Sequence, residues 1–542
     1  MPTRRELLIA ASALGVASAV RSSHAQTPAT MPTQSFEPSW DSLQRFQTPD
    51  WFRDAKFGIW AHWGPQCQPE AGDWYARHMY VQGHWQYNAH VKRYGHPSKF
   101  GFKDVINDWK AEKWDPEALL DLYAAAGAKY FFALANHHDN FDLYDSKHHN
   151  WNSTKLGPKK DLIGGWAKAA RARGLRFGVS VHAAHAWSWY ETAQAADKTG
   201  DLAGIPYDGT LHAEQGKGTW WQDFDPQELY AQNHKPAEGF ENPSSIHGRW
   251  DWGNGAVPPT PAWCESFHDR TIDLIDKYQP DLIYFDDTVL PLHPISDVGL
   301  RIAAHMYNAS IARAGKLDAV VNGKILDEMQ RRCMVWDIER GQSHQIEPLP
   351  WQTDTCIGDW HYNRDVYNKR RYKSAALVIH TLADVVSKNG NLLLSVPVRG
   401  DGTIDELETE IVKQIGAWMK VNAEAIHGTR PWKVFGEGPA SASAAPIQAQ
   451  GFNEGKGKPL SEDDVRFTTK GDTLYAIVTG KPTKPMNWAS LASNASHFGR
   501  AVQSVRLLGS DAPVKWKQTD AGLSVEPPAT VPNDIAAVFV VE

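Results

Sequence analysis

Residues 280–288 read "PDLIYFDDT": a proline, a short apolar run, then two adjacent acids. The run is too short and too rich in Ile, Tyr and Phe for a helix, and Pro280 sets its start, so it reads as a buried strand ending on carboxylates. Seven further runs share this form. They are "KFGIWAHWG" (56–64), "KYFFALANHHD" (129–139), "RFGVSVHAAH" (176–185), "LDAVVNGK" (317–324), "MVWDIERG" (334–341), "PWQTDT" (350–355) and "NGNLLLSVPV" (389–398). Amphipathic segments such as 115–128, 161–174 and 265–279 lie between them. Near-continuously apolar strands alternating with helices imply a parallel sheet covered by helices, and eight of them imply an α/β fold of the (β/α)8 TIM-like barrel type.

Polar residues gather at the downstream ends of these runs: His62, His137-His138-Asp139, His182, His185, Asp286-Asp287, Lys324, Glu339 and Asp354. In a barrel those ends converge on the face where active sites lie, and seven of the eight runs contribute. A long Gly-, Pro- and Trp-rich excursion at about 191–262 follows the third run on that face. It is either a solvated surface insertion or a loop that shapes a substrate site. After the helical stretch 410–432 the pattern changes to short strands at close spacing, a C-terminal β-sandwich of about a hundred residues. The expected domains are therefore a barrel over 26–431 and a sandwich over 432–542.

The chain has 542 residues, 42% of them apolar, and a formal net charge of −7 without long runs of one sign. That charge pattern excludes nucleic acid and an anionic membrane surface as partners. The 24 Trp suit either stacking against sugar rings or aromatic core packing. Arg4 and Arg5 precede an apolar stretch from Leu7 to Val20, and Ser23-His24-Ala25 resembles a cleavage site. Residues 1–25 are thus expected to be a twin-arginine-type signal peptide of a bacterial periplasmic or secreted protein. No later stretch reads as transmembrane. Cys67, Cys264, Cys333 and Cys356 form no C-x-x-C pair; an oxidising compartment would allow one bridge, and the reading is free buried thiols.

Carboxylates at a barrel mouth suggest glycoside hydrolysis, with one as nucleophile and one as acid/base. Asp286 and Asp287 cannot be that pair, because adjacent strand residues point to opposite sides. Asp287, followed by Thr288, fits a helix N-cap or a surface salt bridge, which leaves Asp286 for chemistry. Glu339 is the best-placed partner, with Asp354 as the other candidate. Metal ligands on one strand need same-side spacing and adjacent histidines diverge, so no metal is expected at His137 and His138. Neither a P-loop, a dinucleotide fingerprint nor a G-x-S-x-G elbow is present, and no cofactor is expected.

At these residues the sequence resembles the α-L-fucosidases of glycoside hydrolase family 29, from about residue 38 to the C-terminus. The motifs are "KFGIWAHWG", "GDWYARHMY", "NHHDNFDLYDSKHHNWNS", "KYQPDLIYFDD", "PWQTDTCIGDWHYN" and "HTLADVVSKNGNLLLSVPVRGDGTI". The resemblance implies Asp286 as nucleophile, His62, His137 and His138 as fucose-hydroxyl contacts, and Trp74 as a wall of the site. It also implies substrate-binding positions at Asp73, where Glu is common, at Tyr284, where Trp is frequent, and at Lys324, where Arg is often found. His182 and His185 replace a usual Y-Y-S, which changes what the third strand end offers. An acid/base found later in the sixth segment of some relatives would fall at Gln342, which cannot shuttle a proton, so Glu339 is the remaining candidate. The expected activity is retaining exo-hydrolysis of terminal α-L-fucosyl residues from an oligosaccharide or glycoconjugate. The rivals are hydrolysis of a related α-L-sugar such as an L-galactoside, and fucose binding without cleavage. Association into a homo-oligomer is left open by the sequence.

Overall fold

The computed structural model describes residues 35–231, 234–242, 244–442 and 453–542; the expected signal peptide lies outside them. Eight parallel strands close into a barrel in sequence order. They are β1 (Phe57–Ala61), β2 (Tyr130–Asn136), β3 (Arg176–Val181), β4 (Leu282–Thr288), β5 (Val320–Lys324), β6 (Val335–Glu339), β7 (Trp351–Cys356) and β8 (Gly390–Ser395). Seven fall inside the runs read from the sequence and β7 runs one residue past its own, to Cys356; most are buried along their whole length, as a barrel covered by helices requires.

The outer helices include α1 (Pro116–Ala125), α2 (Leu162–Ala172), α3 (Pro261–Tyr278), α4 (Val298–Ala314), α5 (Ala375–Ser387) and α6 (Glu406–Asn422). Their starts carry side-chain caps: Asp115, Asp161, Thr260, Ser374 and Asp405 each accept a backbone N–H of the first turn. Such a bond contributes about 1 kcal/mol and fixes where each helix begins. α4 lacks one; the residue before it is Asp297, and its side chain caps nothing there.

The barrel interior is filled by side chains from alternate strand positions. On β1 Gly58 is inward, and a Cβ there would lie 2.3 Å from the Tyr130 ring; one at Gly178 of β3 would lie 2.7 Å from the Phe132 ring. Two glycines therefore make room for two aromatic rings of β2 that plug the lower barrel. Above them the inward positions turn polar: Ser180, Tyr284, Asn322, Asp337, Gln352 and Asp354 are buried. Cross-strand register sets Lys324 beside Asp337 and Glu339 beside Asp354, so the charges sit in adjoining layers.

The C-terminal strands form two antiparallel sheets, a β-sandwich. One has the order β13-β16-β11-β10-β9 and the other β12-β15-β14. Their ranges are β9 (Arg430–Glu437), β10 (Val465–Lys470), β11 (Thr473–Val478), β12 (Met486–Trp488), β13 (Val505–Leu507), β14 (Trp516–Thr519), β15 (Gly522–Val525) and β16 (Ala537–Val541). A separate apolar core, including Phe467, Trp488, Leu523 and Phe539, lies between the sheets. The sandwich is fastened to α5 by a buried ion cluster in which Arg466 Nε donates to Asp384 at 2.6 Å and Lys388 Nζ donates to it at 2.7 Å. All four cysteines are free and buried, as read. Among the described residues no helix is long and apolar enough to cross a membrane.

Candidate active site

A cavity of about 880 Å³ opens at the carboxyl ends of the strands. Asp286 comes from the end of β4, Lys324 from β5 and Glu339 from β6. The Lys324 ammonium donates to Oδ1 of Asp286 and, at 2.5 Å, to Oε2 of Glu339. Oδ2 of Asp286 faces His138 Nε2 and His182 Nδ1, each 3.1 Å away. The His138 ring is held in that direction because its Nδ1 donates to the His182 carbonyl at 2.7 Å.

These contacts separate the two carboxyl groups electrostatically. Burial alone would raise the Asp286 pKa, but the Lys324 ammonium and the two histidines outweigh it and hold the carboxyl well below its ordinary range. For Glu339 burial prevails over Lys324, the Asp286 charge adds to it, and the pKa is raised. Beneath them burial lifts Asp337 to about 7, and burial together with Asp337 and Glu339 lifts Asp354 well above its usual value. Asp337 accepts from Gln352 Nε2 at 2.7 Å, and Gln352 in turn accepts from the Tyr130 hydroxyl at 2.9 Å. Low-pKa Asp286 beside raised-pKa Glu339 is the division of labour that nucleophile and acid/base need.

His62, Asp73, Trp74, His137, His182 and Tyr284 line the cavity with Asp286, Lys324 and Glu339. Asp354 also lines it but reaches neither Asp286 nor Lys324 by a hydrogen bond, whereas Glu339 bonds the lysine. His138 departs from its expected role: it is buried beneath the surface and bonds Asp286 instead of opening onto the cavity. His137 and His138 also do not diverge as adjacent strand residues should. The β2–β3 register shifts between Leu134 and Asn136, and both rings turn inward just beyond the strand end. His185 stays out of the cavity lining. Gln342 does so too, its N–H bonded to the Asn453 side chain.

Asp287 is neither a helix N-cap nor in a surface salt bridge. It is buried, receives His185 Nε2 at 2.9 Å, and caps the loop after β4 through the N–H groups of Thr288 and Leu292. His185 is itself stacked between Trp250 and Trp252, with ring centroids 3.8 and 4.9 Å away. Trp250 and His247 stack against Trp74, at 6.0 and 4.8 Å. The long insertion is therefore a wall of the cavity, supplying His247, Trp250 and Asp251 to its lining. Trp74 sits at φ 61°, a left-handed backbone that a bulky residue adopts only under constraint, and the stacked rings provide it.

Three further residues belong to the site. Trp60 and Trp360 line the floor beside His62, at 4.8 and 5.6 Å between centroids. His361 is buried behind it, its ring 4.7 Å from both His62 and His137. Trp60 was within reach of the sequence, since it precedes His62 by two and shares its face of the strand. Trp360 and His361 lie in the loop after β7, where no periodicity points inward.

An eight-stranded barrel whose mouth sets two carboxylates of opposed pKa around one cation, under aromatic walls, defines a glycoside hydrolase. Comparison with known proteins narrows the class. The model of the family described as alpha-L-fucosidase matches residues 23–424, and that of the alpha-L-fucosidase C-terminal domain matches 458–541. The chain belongs to the alpha-L-fucosidase family. Tissue alpha-L-fucosidase of Bos taurus is 26% identical over 525 residues, spanning 92% of this chain and 90% of the relative. That of Rattus norvegicus is 28% identical over 519 residues, spanning 92% and 91%. Among solved structures, an alpha-L-fucosynthase of Thermotoga maritima in complex with alpha-L-Fuc-(1-2)-beta-L-Fuc-N3 superposes with a TM-score of 0.69 at 25% identity, covering 94% of this chain and all of its own. The alpha-fucosidase of the same organism in complex with fucose gives 0.65 at 25% identity, with the same coverage.

Proposed function

We propose that the chain is a retaining exo-acting alpha-L-fucosidase of glycoside hydrolase family 29 that removes terminal α-L-fucosyl residues from glycans. The observation that carries this reading is the shared lysine. Because one ammonium contacts both carboxylates, Asp286 and Glu339 stand at most two hydrogen-bond lengths apart, about 6 Å. Retaining enzymes hold their carboxyl groups about 5–5.5 Å apart, while inverting ones need about 6.5–9.5 Å to admit a water.

In the first step an ionised Asp286 oxygen attacks the anomeric carbon and forms a fucosyl ester. The glycosidic C–O bond breaks, and the departing oxygen takes the proton of Glu339. In the second step the Glu339 carboxylate removes a proton from water, whose oxygen displaces Asp286 and releases fucose. Lys324 holds both groups in place and sustains the low pKa of the nucleophile. His62 and His137 supply polar contacts to the sugar hydroxyls, Asp73 adds a carboxylate at the rim, and Trp74 packs on a ring face. The floor closed by Trp60 and Tyr284 suits a terminal sugar.

Asp286→Gly should reduce hydrolysis of an aryl α-L-fucoside by several orders of magnitude, with azide restoring turnover as the inverted glycosyl azide. Undiminished activity in this variant would overturn the assignment. Glu339→Ala should cost most on poor leaving groups and little on activated ones. A uniform loss would move the acid/base role to Asp354.

A further inference from the structure

Three histidines gather at and just behind the cavity floor. His62, His137 and His361 come from the ends of β1 and β2 and the loop after β7. Each places a ring nitrogen within 4.8 Å of the others. Their rings are nearly mutually perpendicular, with interplanar angles of 72°, 88° and 89°, so the nitrogens converge instead of stacking. All three side chains are buried, and both nitrogens of His62 and Nε2 of His361 lack a hydrogen-bond partner. Buried imidazole nitrogens without partners are costly unless something occupies the space between them.

The surroundings resemble those of a metal ligand set. His361 Nδ1 donates to Asp73 at 3.3 Å, and Asp73 also accepts the backbone N–H groups of His361 and Trp360 at 2.6 and 3.1 Å. That carboxylate fixes the tautomer, leaving the lone pair of His361 on Nε2. A carboxylate behind a histidine is the usual outer shell of a metal site. Asp139, buried and within electrostatic reach of His361, adds a second compensating carboxyl group. His137, His138 and His182 also bring ring nitrogens within 4.8 Å of one another, but both nitrogens of His138 are engaged; His182 directs Nδ1 to Asp286 and keeps Nε2 without a partner.

We propose that His62, His361 and His137 form a site for one divalent transition-metal cation, Zn2+ fitting best, and that its occupancy excludes the sugar. The sugar-exclusion half rests on the function proposed above; the metal-binding half stands on the cluster alone. Three imidazoles with a fourth position open toward the cavity match the ligand type and number Zn2+ takes. Tetrahedral bonds of about 2.0–2.1 Å set the nitrogens about 3.4 Å apart, so the rings must close by about an ångström. His62 and His361 lead. His137 joins by moving its proton to Nδ1, which now accepts from Gln66 Nε2 at 2.8 Å, with the Gln66 amide turning its oxygen to receive it.

The test is equilibrium dialysis of the full chain against ZnCl2 in a non-chelating buffer, without substrate, with metal measured by elemental analysis and folding by thermal melting. One tightly held Zn2+ per chain is expected. His361→Ala should abolish it, and Asp73→Asn, which keeps all three imidazoles, should weaken it by about 10–100-fold. No stoichiometric Zn2+ in the native chain, or equal binding in both folded variants, overturns the site. In the presence of Zn2+ the KM for an aryl fucoside should rise with kcat unchanged. Stoichiometric binding with an unmoved KM overturns the exclusion alone. Failure of the chain to cleave fucosides leaves the dialysis result standing.

Discussion

Replacing Lys324 with Met removes the cation that touches both Asp286 and Glu339, the carboxylates proposed to carry the chemistry. At a contact of about 3 Å and an effective dielectric of about 20, each contact is worth roughly 5 kcal/mol. That is a ceiling of about 4 pH units on the pKa of each carboxyl, and relaxation around the shortened side chain should leave about 2. The signs are fixed by which protonation state each group needs. Asp286 works ionised and now sits well below its ordinary pKa, so the native enzyme should show no acid limb above pH 4. Without Lys324 that pKa rises, so the acid limb should move upward in pH. Glu339 works protonated in the first step, and losing a cation that lowers its pKa should carry the alkaline limb upward too. The whole kcat/KM profile on an aryl fucoside should therefore shift to higher pH, with kcat lower by about 100–1,000-fold. Lys324→Arg, which keeps the charge, should leave both limbs near their native positions. Stationary limbs in Lys324→Met, or limbs moving in opposite directions, would refute the bridging role.

Other variants probe the barrel, the interface and the wall. Asp337 has a folded pKa near 7 against an ordinary 3.8, so its stabilising protonation is complete below about pH 4 and is lost as pH rises through 7. That interval corresponds to about 4 kcal/mol, and Asp337→Asn, which still accepts from Gln352, should flatten the decline of Tm between pH 4 and 7. An unchanged slope would assign the decline to other groups. Asp384→Ala leaves Arg466 and Lys388 buried without their anion, and urea unfolding should register a loss of about 3–5 kcal/mol; a loss below 1 would mean the cations find water. Trp250→Ala opens the wall behind Trp74 and should raise KM about tenfold with a smaller effect on kcat. An unaltered KM would show that the insertion does not touch the sugar.

The barrel was legible because each strand is a short, buried, apolar run between helix signals, and such runs have few other ways to be satisfied. Alternation along "PDLIYFDDT" showed that Asp286 and Asp287 cannot act as a pair, and the family resemblance chose Asp286. Alternation failed two strands earlier, at His137 and His138, because a register shift at the end of β2 breaks the period on which the inference depended. Asp287 was misplaced for a different reason. Its partner, His185, comes from another strand end, and no local rule reports a contact across 102 positions. The histidine cluster escaped for the same reason. Spacing on one strand says nothing about imidazoles delivered by β1, β2 and the loop after β7. Lys324 was placed in the site by resemblance, but its position between two carboxylates is a product of barrel closure.

The Asp287–His185–Trp250/Trp252 chain joins β4 to the insertion through one buried carboxylate and two stacked rings. For anyone recombining modules among related enzymes, the transferable part is therefore larger than the loop itself. Transplanting residues 191–262 without His185 and Asp287 would sever the tether, and trimming the loop would strip both aromatic faces from a histidine bonded to Asp287, the neighbour of Asp286. Loop and strand end make a single cassette, and libraries that vary glycan preference should exchange them together.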